Sequence, residues 1–326
     1  MRMILGAIAL CLAALAPCAG HAQSGSSTDY PTRPVKVLVP FAPGGVTDVM
    51  GRLVAQKLSE NLGQQFFVEN HGGAGGNIGT AMVANATADG YTILLTSSSF
   101  VVNPSLHAKV AYDPIKDFAP ITISGVSPNL LVVNPGQPFK SVKDLVAAIK
   151  KEPNKYTFAS AGVGTTPHLS GELFKQSLGL DLVHVPFTGA GPALQSVVAG
   201  HTPVAFTSLP SAVSLVKSGS VRALAVTSAK RTSALPDVPT MAEAGVSGQE
   251  AETLLLILAP VGTPKPIVEK LHREIAKIVA LPETRQKLQS LGFDAVSPTP
   301  EETGARIKTE IAKWAKVIRD AQIQKQ

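Results

Sequence analysis

Cysteine is nearly absent from this chain: two among 326 residues, Cys11 and Cys18, both within the first 22 positions. Beyond them neither a disulfide nor a thiol nucleophile is available, so the fold must rest on an ordinary buried core. Aromatic residues make up only 5%, too few to stack a run of bases. The basic residues form isolated pairs such as Lys150-Lys151 and Lys230-Arg231 and no polybasic stretch. Nucleic-acid binding is therefore not expected. No apolar run is long enough to span a bilayer. Catalytic signatures are missing as well, with no G-x-S-x-G elbow and no G-x-x-x-x-G-K-[ST] phosphate loop.

The N-terminus carries the marks of an export signal. Arg2 gives the positive start, Ile4 to Leu15 the apolar core, and Gly20-His21-Ala22 a small-residue cleavage site. The expected cut follows Ala22, with a periplasmic product and a short polar linker over 23–29. A lipid anchor on Cys18 is disfavoured by Pro17 directly before it. Without Arg2 the chain keeps 28 basic against 23 acidic residues, read from the full count of 29 and 23. That mild excess suits an anionic ligand, and solubility alone accounts for it equally well.

Strand and helix patterns alternate along the rest. Short β-branched runs at Val35–Val39, Phe66–Val68 and Thr92–Thr96 are separated by helical spacing over Thr47–Leu62 and Asn77–Ala86. The alternation resumes with strands at Leu130–Val133, Tyr156–Ala159, Leu182–Val185, Pro203–Thr207 and Val221–Thr227, and again at Leu254–Ala259. Helices are expected at Ser141–Lys151, Thr165–Leu178, Ala190–Ala199 and Ser211–Ser218, then Lys265–Ala280, Glu283–Ser290 and Pro300–Gln322. The order predicts an α/β protein of two similar lobes, each with a parallel sheet covered on both faces. A chain leaving the first lobe near Ser127 and returning near Leu254 gives two crossing strands, which is how a hinge is built.

Four polar or glycine-rich turns follow strands. They are Phe41-Ala42-Pro43-Gly44-Gly45 with Thr47, Ser97-Ser98-Ser99, Ala161-Gly162-Val163-Gly164-Thr165-Thr166, and Thr188-Gly189-Ala190. Strand ends of an open α/β sheet converge on the ligand crevice, and helix N-termini there favour a carboxylate or phosphate. His168 near a helix start and Thr207 at the end of its strand join this candidate binding set. Asp48 is ambiguous, since an acid in a first helical turn is stabilised by the dipole without any ligand. Gly72-Gly73-Ala74-Gly75-Gly76 does not fit G-x-G-x-x-G, because Ile78 stands where the third glycine is needed. His168 and Glu172 lack a third ligand, so no metal is expected. No cofactor and no catalytic residue is assigned, and the chain is read as a non-enzyme.

These features, together with collinear motifs over Tyr30 to Ala321, resemble the Bug family of periplasmic solute receptors, the receptors of tripartite tricarboxylate transporters. The motifs include Tyr30-Pro31-Thr32-Arg33-Pro34, Val68-Glu69-Asn70, Asp89-Gly90-Tyr91-Thr92, His184-Val185-Pro186-Phe187 and Ala259-Pro260-Val261-Gly262-Thr263-Pro264. The resemblance implies a periplasmic-binding-protein type II fold of two Rossmann-like lobes on a two-strand hinge. Lobe one then covers 30–128 and 254–326, lobe two 129–253, and 1–22 is the signal. It further implies a carboxylate held by backbone amides at Phe41 to Thr47, a membrane transporter as partner, and a monomeric receptor. Two departures bear on the ligand. The strand Pro203–Thr207 holds no acid, and Leu254-Leu255-Leu256-Ile257-Leu258 replaces a stretch that often carries an aromatic and a glycine. Both point to an aliphatic or aromatic mono- or dicarboxylate in preference to an amino acid. A ligand sensor for a signalling partner, or an enzyme using the same cleft, are the alternatives.

Overall fold

A computed structural model describes residues 29–325. The expected export signal, its expected cleavage after Ala22, both cysteines and the linker as far as Thr28 lie outside the described residues. The chain runs through β1 (Val35–Val39), α1 (Val46–Leu62), β2 (Phe66–Asn70), α2 (Asn77–Ala84), β3 (Thr92–Thr96) and α3 (Ser99–Leu106). A long strand, β4 (Phe118–Val133), leads to α4 (Val142–Lys151), β5 (Tyr156–Ser160), α5 (Thr166–Leu178) and β6 (Leu182–Pro186). Then come α6 (Ala190–Val198), β7 (Val204–Ser208), α7 (Leu209–Lys217) and β8 (Arg222–Val226). The strand β9 (Glu252–Pro260) returns beside β4, followed by α8 (Lys265–Ala280), α9 (Pro282–Ser290), β10 (Asp294–Ala295) and α10 (Pro300–Asp320).

Local chemistry sets these limits. Gly63 ends α1 by taking a left-handed φ of 70° and donating its amide to the Ser59 carbonyl. Ser141 caps α4, its Oγ accepting from the Asp144 amide at 3.1 Å. Thr299 and Glu302 close a full capping box at the start of α10. The helix α3 was not anticipated, because its sequence is β-branched and contains Pro104. Proline removes the amide that would meet the Phe100 carbonyl. The Tyr112 hydroxyl donates to that carbonyl instead, at 3.3 Å.

The expected parallel sheet is found only in part. The triplets β2-β1-β3 and β6-β5-β7 are parallel, whereas β4, β8, β9 and β10 pair antiparallel. The reason is topological: a chain that crosses from one half to the other and returns must run in both directions. At about 3.3 Å per residue, the 16 residues of β4 extend far enough to serve both halves. Its first part, 118–128, pairs with β9, and its last part, 129–133, pairs with β7 and β8. Only the last part was legible as strand, since Pro120, Gly125 and Pro128 interrupt the earlier pattern.

Each half buries apolar residues on both faces of its sheet. In the first, Val37, Val39, Ile93, Leu95 and Ile257 meet α1 and α8 through Met50, Val54, Leu271 and Ile275. The opposite face places Leu38, Leu94, Leu256 and Leu258 against Phe100, Ile307 and Trp314. The second half repeats the plan with Leu131, Phe158 and Phe206 on one face and Leu130, Ala159 and Ala205 on the other. The run Leu254–Leu258 therefore spends its side chains, alternately, on two cores. None of them reaches a ligand cleft, so the inference that its bulk makes the pocket more apolar is corrected.

Candidate functional site

The ends of β1, β3 and β5 meet at a cleft of about 490 Å³ lined by both halves. One wall comes from Phe41, from Ala74 and Gly75 before α2, from Ser97, Ser98 and Ser99, and from Val102, Asn103, Leu106 and His107 along α3. The facing wall is Val163, Gly164, Thr165 and Thr166, and Thr253 of β9 completes it. A larger cavity of about 790 Å³ involves Val126, Lys230, Glu252 and Arg306. Glu252 and Thr253 are neighbours on β9, whose side chains alternate between faces, so the two cavities lie on opposite sides of the crossing strands. None of the anticipated turns lines that larger one.

Two helices begin in the cleft wall, α3 at Ser99 and α5 at Thr166. The first amides of α3 already meet the Ser97 hydroxyl and the Ser97 and Ser98 carbonyls. In α5, Pro167 has no amide and that of His168 meets Thr165 Oγ1 at 3.4 Å, so it is the helix dipole that makes these ends attractive to an anion. The hydroxyls beside them differ in availability. Ser98 is committed to β9, donating to the Glu252 carbonyl at 3.2 Å and accepting from the Leu254 amide at 2.8 Å. Thr165 caps α5 and donates to the Gly162 carbonyl at 2.8 Å. Ser97 and Ser99 hydroxyls lie 3.3 Å apart, and Thr166 meets Thr253 across the halves at 3.2 Å. Such hydroxyl pairs share one proton and can turn a second one outward to a ligand oxygen.

The halves touch at Gly164, whose φ of +77° suits a residue without Cβ. A Cβ there would stand 2.2 Å from Leu106 Cδ2, so Leu106 would have to move aside. His168 fixes this turn from behind. Its buried ring accepts from the Gly164 amide through Nδ1 at 3.0 Å and stacks on His184 with centroids 3.9 Å apart. Burial pushes the His168 imidazole down to about 3, with His184 and Lys175 adding to the effect. His184 is pushed down to about 4, again chiefly by burial, and its Nε2 pairs with the Ser160 hydroxyl at 2.7 Å. Both rings are neutral at ordinary pH, which lets Nδ1 of His168 act as an acceptor.

The cleft thus gathers Phe41, Ser97, Ser98, Ser99, Gly164, Thr165 and Thr166 from the sequence-derived set. The others lie outside its wall. Ala42, Gly44 and Gly45 form an exposed turn tip, and Thr47 is buried in the first turn of α1. Asp48 is buried and answers that turn from within. Its carboxylate accepts from the Gly44 amide at 2.9 Å, from Arg52 at 3.0 Å and from Asn70 at 2.9 Å. Burial opposes its charge, but the Arg52, Gly44 and Asn70 hydrogen bonds outweigh it and hold the carboxyl below the usual range. Ala161 and Gly162 belong to the turn behind Gly164, and Thr188, Gly189 and Ala190 lead into α6. Thr207 is fully buried opposite Leu130 of β4, its hydroxyl without a hydrogen-bond partner among the described residues.

Sequence reasoning missed Ala74, Gly75, Val102, Asn103, Leu106, His107 and Thr253, while Val163 lay within the anticipated turn 161–166. The glycine cluster at 72–76 was a usable signal, since it follows a strand as the other turns do. The α3 residues gave none while that helix went unrecognised. Among the described residues, no group of three or more His, Cys, Asp and Glu side chains is placed to hold a metal ion.

Residues 50–323 match the model of the tripartite tricarboxylate transporter family receptor. BugT of Bordetella pertussis is 38% identical over 304 residues, 93% of this chain and 93% of that protein. An R. palustris protein solved with adipate is 36% identical, with a TM-score of 0.74, covering 91% of this chain and 100% of that one. MatC from Rhodopseudomonas palustris, solved with bound malate, is 33% identical with a TM-score of 0.70 over 89% of this chain and 100% of its own.

Proposed function

The chain belongs to the tripartite tricarboxylate transporter family of receptors, and we propose that it captures a small organic carboxylate in the periplasm for the transporter's membrane subunits. In this reading the ligand occupies the 490 Å³ cleft, and residues 30–128 with 254–326 close on 129–253 about β4 and β9. Binding proceeds without turnover.

The observation that carries the reading is the make-up of the wall: hydroxyls and two helix N-termini, with no Asp, Glu, Lys or Arg among the described lining residues. Neutral donors hold a carboxylate while avoiding a buried ion pair, whose separation costs about 3–5 kcal/mol. A receptor that must give up its cargo gains from that weakness. The adipate and malate held by two relatives support the ligand class.

The test is a melting-temperature series of the exported protein with adipate, malate, benzoate and aspartate, repeated on a Ser99→Ala/Thr166→Val variant. A ligand at about 100 times its dissociation constant stabilises by about 2.7 kcal/mol. The expected outcome is a saturable rise with one or more of the three carboxylates, lost in the variant. Stabilisation by aspartate alone, or a rise unaffected by the double substitution, contradicts the reading.

A further inference from the structure

We propose that His107 recognises the far end of the ligand, so that the cleft selects extended dicarboxylates over monocarboxylates of equal length. This rests on the reading of the cleft as a carboxylate site. Among the described lining residues, His107 is the one whose side chain can carry charge. Its ring makes no hydrogen bond within the described protein, unlike His71, His168 and His184, which are held by Glu69, the Gly164 amide and Ser160. It is a hydrogen-bonding group held in a binding wall with no internal task.

Its placement is well defined. Nε2 lies 3.8 Å from where a side chain on Gly75 would begin, and Gly75 is itself part of the wall. Asn103, one helical turn earlier, fixes that edge by donating to the Gly75 carbonyl at 3.0 Å. Ser99 opens α3 and His107 follows its last residue. At 1.5 Å per residue their backbones stand about 12 Å apart along the helix. Between them lie Val102 and Leu106, with Val163 contributed by the other half.

The wall therefore reads donors, then apolar surface, then imidazole. That sequence matches a carboxylate, an aliphatic spacer and a second carboxylate. An imidazole N–H pairs well with the second carboxylate. A monocarboxylate would lay its methyl end against an unpaired polar ring. A short diacid would reach only one of the two polar ends.

Calorimetric titration with adipate, hexanoate and succinate, on the unaltered protein, His107→Ala and His107→Asn, tests this. Adipate and hexanoate have the same chain length and differ only in the second carboxylate. The unaltered protein is expected to bind adipate at least about tenfold more tightly than either of the others. His107→Ala should bring adipate down to the hexanoate level while leaving hexanoate within about twofold, and His107→Asn, which keeps a donor, should recover part of the difference. Hexanoate bound as tightly as adipate by the unaltered protein overturns the proposal and spares the carboxylate reading. So does a preference unchanged by His107→Ala, or an equal loss of both acids in both variants. Binding of none of the three acids overturns this proposal, and the malate and benzoate arms of the melting series then decide the carboxylate reading.

Discussion

The carboxylate of Asp48 accepts the Gly44 amide, Arg52 and Asn70, and so fills with the protein's own charge a place that the glycine turn offers to an anion. Whether Asp48 serves the ligand or the loop is open to a direct trial. As a loop clamp, Asp48→Asn should lower stability at neutral pH by about 1–3 kcal/mol, the usual worth of hydrogen bonds to a charged group. The sign with pH follows from its depressed folded-state pKa. The unfolded chain takes up the proton first, so the stabilisation is present at neutral pH and is lost as pH falls through the folded-state value. Denaturation curves of the two proteins should therefore converge in acid. A variant with unchanged stability and altered ligand affinity would put Asp48 in the site instead. At this scale the sequence was informative where a polar residue follows a strand, as at Ser97, Ser99 and Thr166. It was silent on His107 and Asn103, whose role depends on which way an unrecognised helix faces.

Among the elements, the glycine turn before α5 and the helix α3 decide how the halves meet. Gly164 packs on Leu106 with no room for a methyl group, and its φ of +77° adds about 1–2 kcal/mol of strain for any other residue. Gly164→Ala should therefore weaken carboxylate binding by about tenfold or more, read by titration. Adding Leu106→Ala should restore part of that loss by removing the clash, a coupling expected of residues in contact. Absence of any rescue would mean that the strain at 164, and not contact across the cleft, governs affinity. Most strands and helices were legible because the periodicity changes from two to helical spacing at each turn. The failures have a common cause: proline and glycine inside regular elements. Pro104 hid α3, while Pro120, Gly125 and Pro128 hid most of β4. In both, tertiary packing supplied what local propensity did not, as the Tyr112 hydroxyl does for the Phe100 carbonyl.

Across the whole molecule, β4 and β9 join two α/β halves that carry the same order of strands around a shared pair of crossings. The alternation of elements foretold the two-part α/β build, and the family resemblance foretold the class of fold. Mixed strand directions were not foreseen, since periodicity records which face a residue occupies but not which way its strand runs. The terminal helix also reaches across, with the Gln176 side-chain amide of α5 donating to the Val317 carbonyl of α10 at 3.1 Å. The aliphatic run of β9, first read as ligand chemistry, proved to be the core through which this joint is held.

Capture in the cleft requires that both halves grip one carboxylate ligand at once. A crystal structure grown with adipate tests it most directly. A carboxylate is expected within hydrogen-bonding distance of Ser97 or Ser99 on one side and of Thr166 on the other. Adipate held by one half only, or seated in the larger cavity beside Val126 and Lys230, would contradict it.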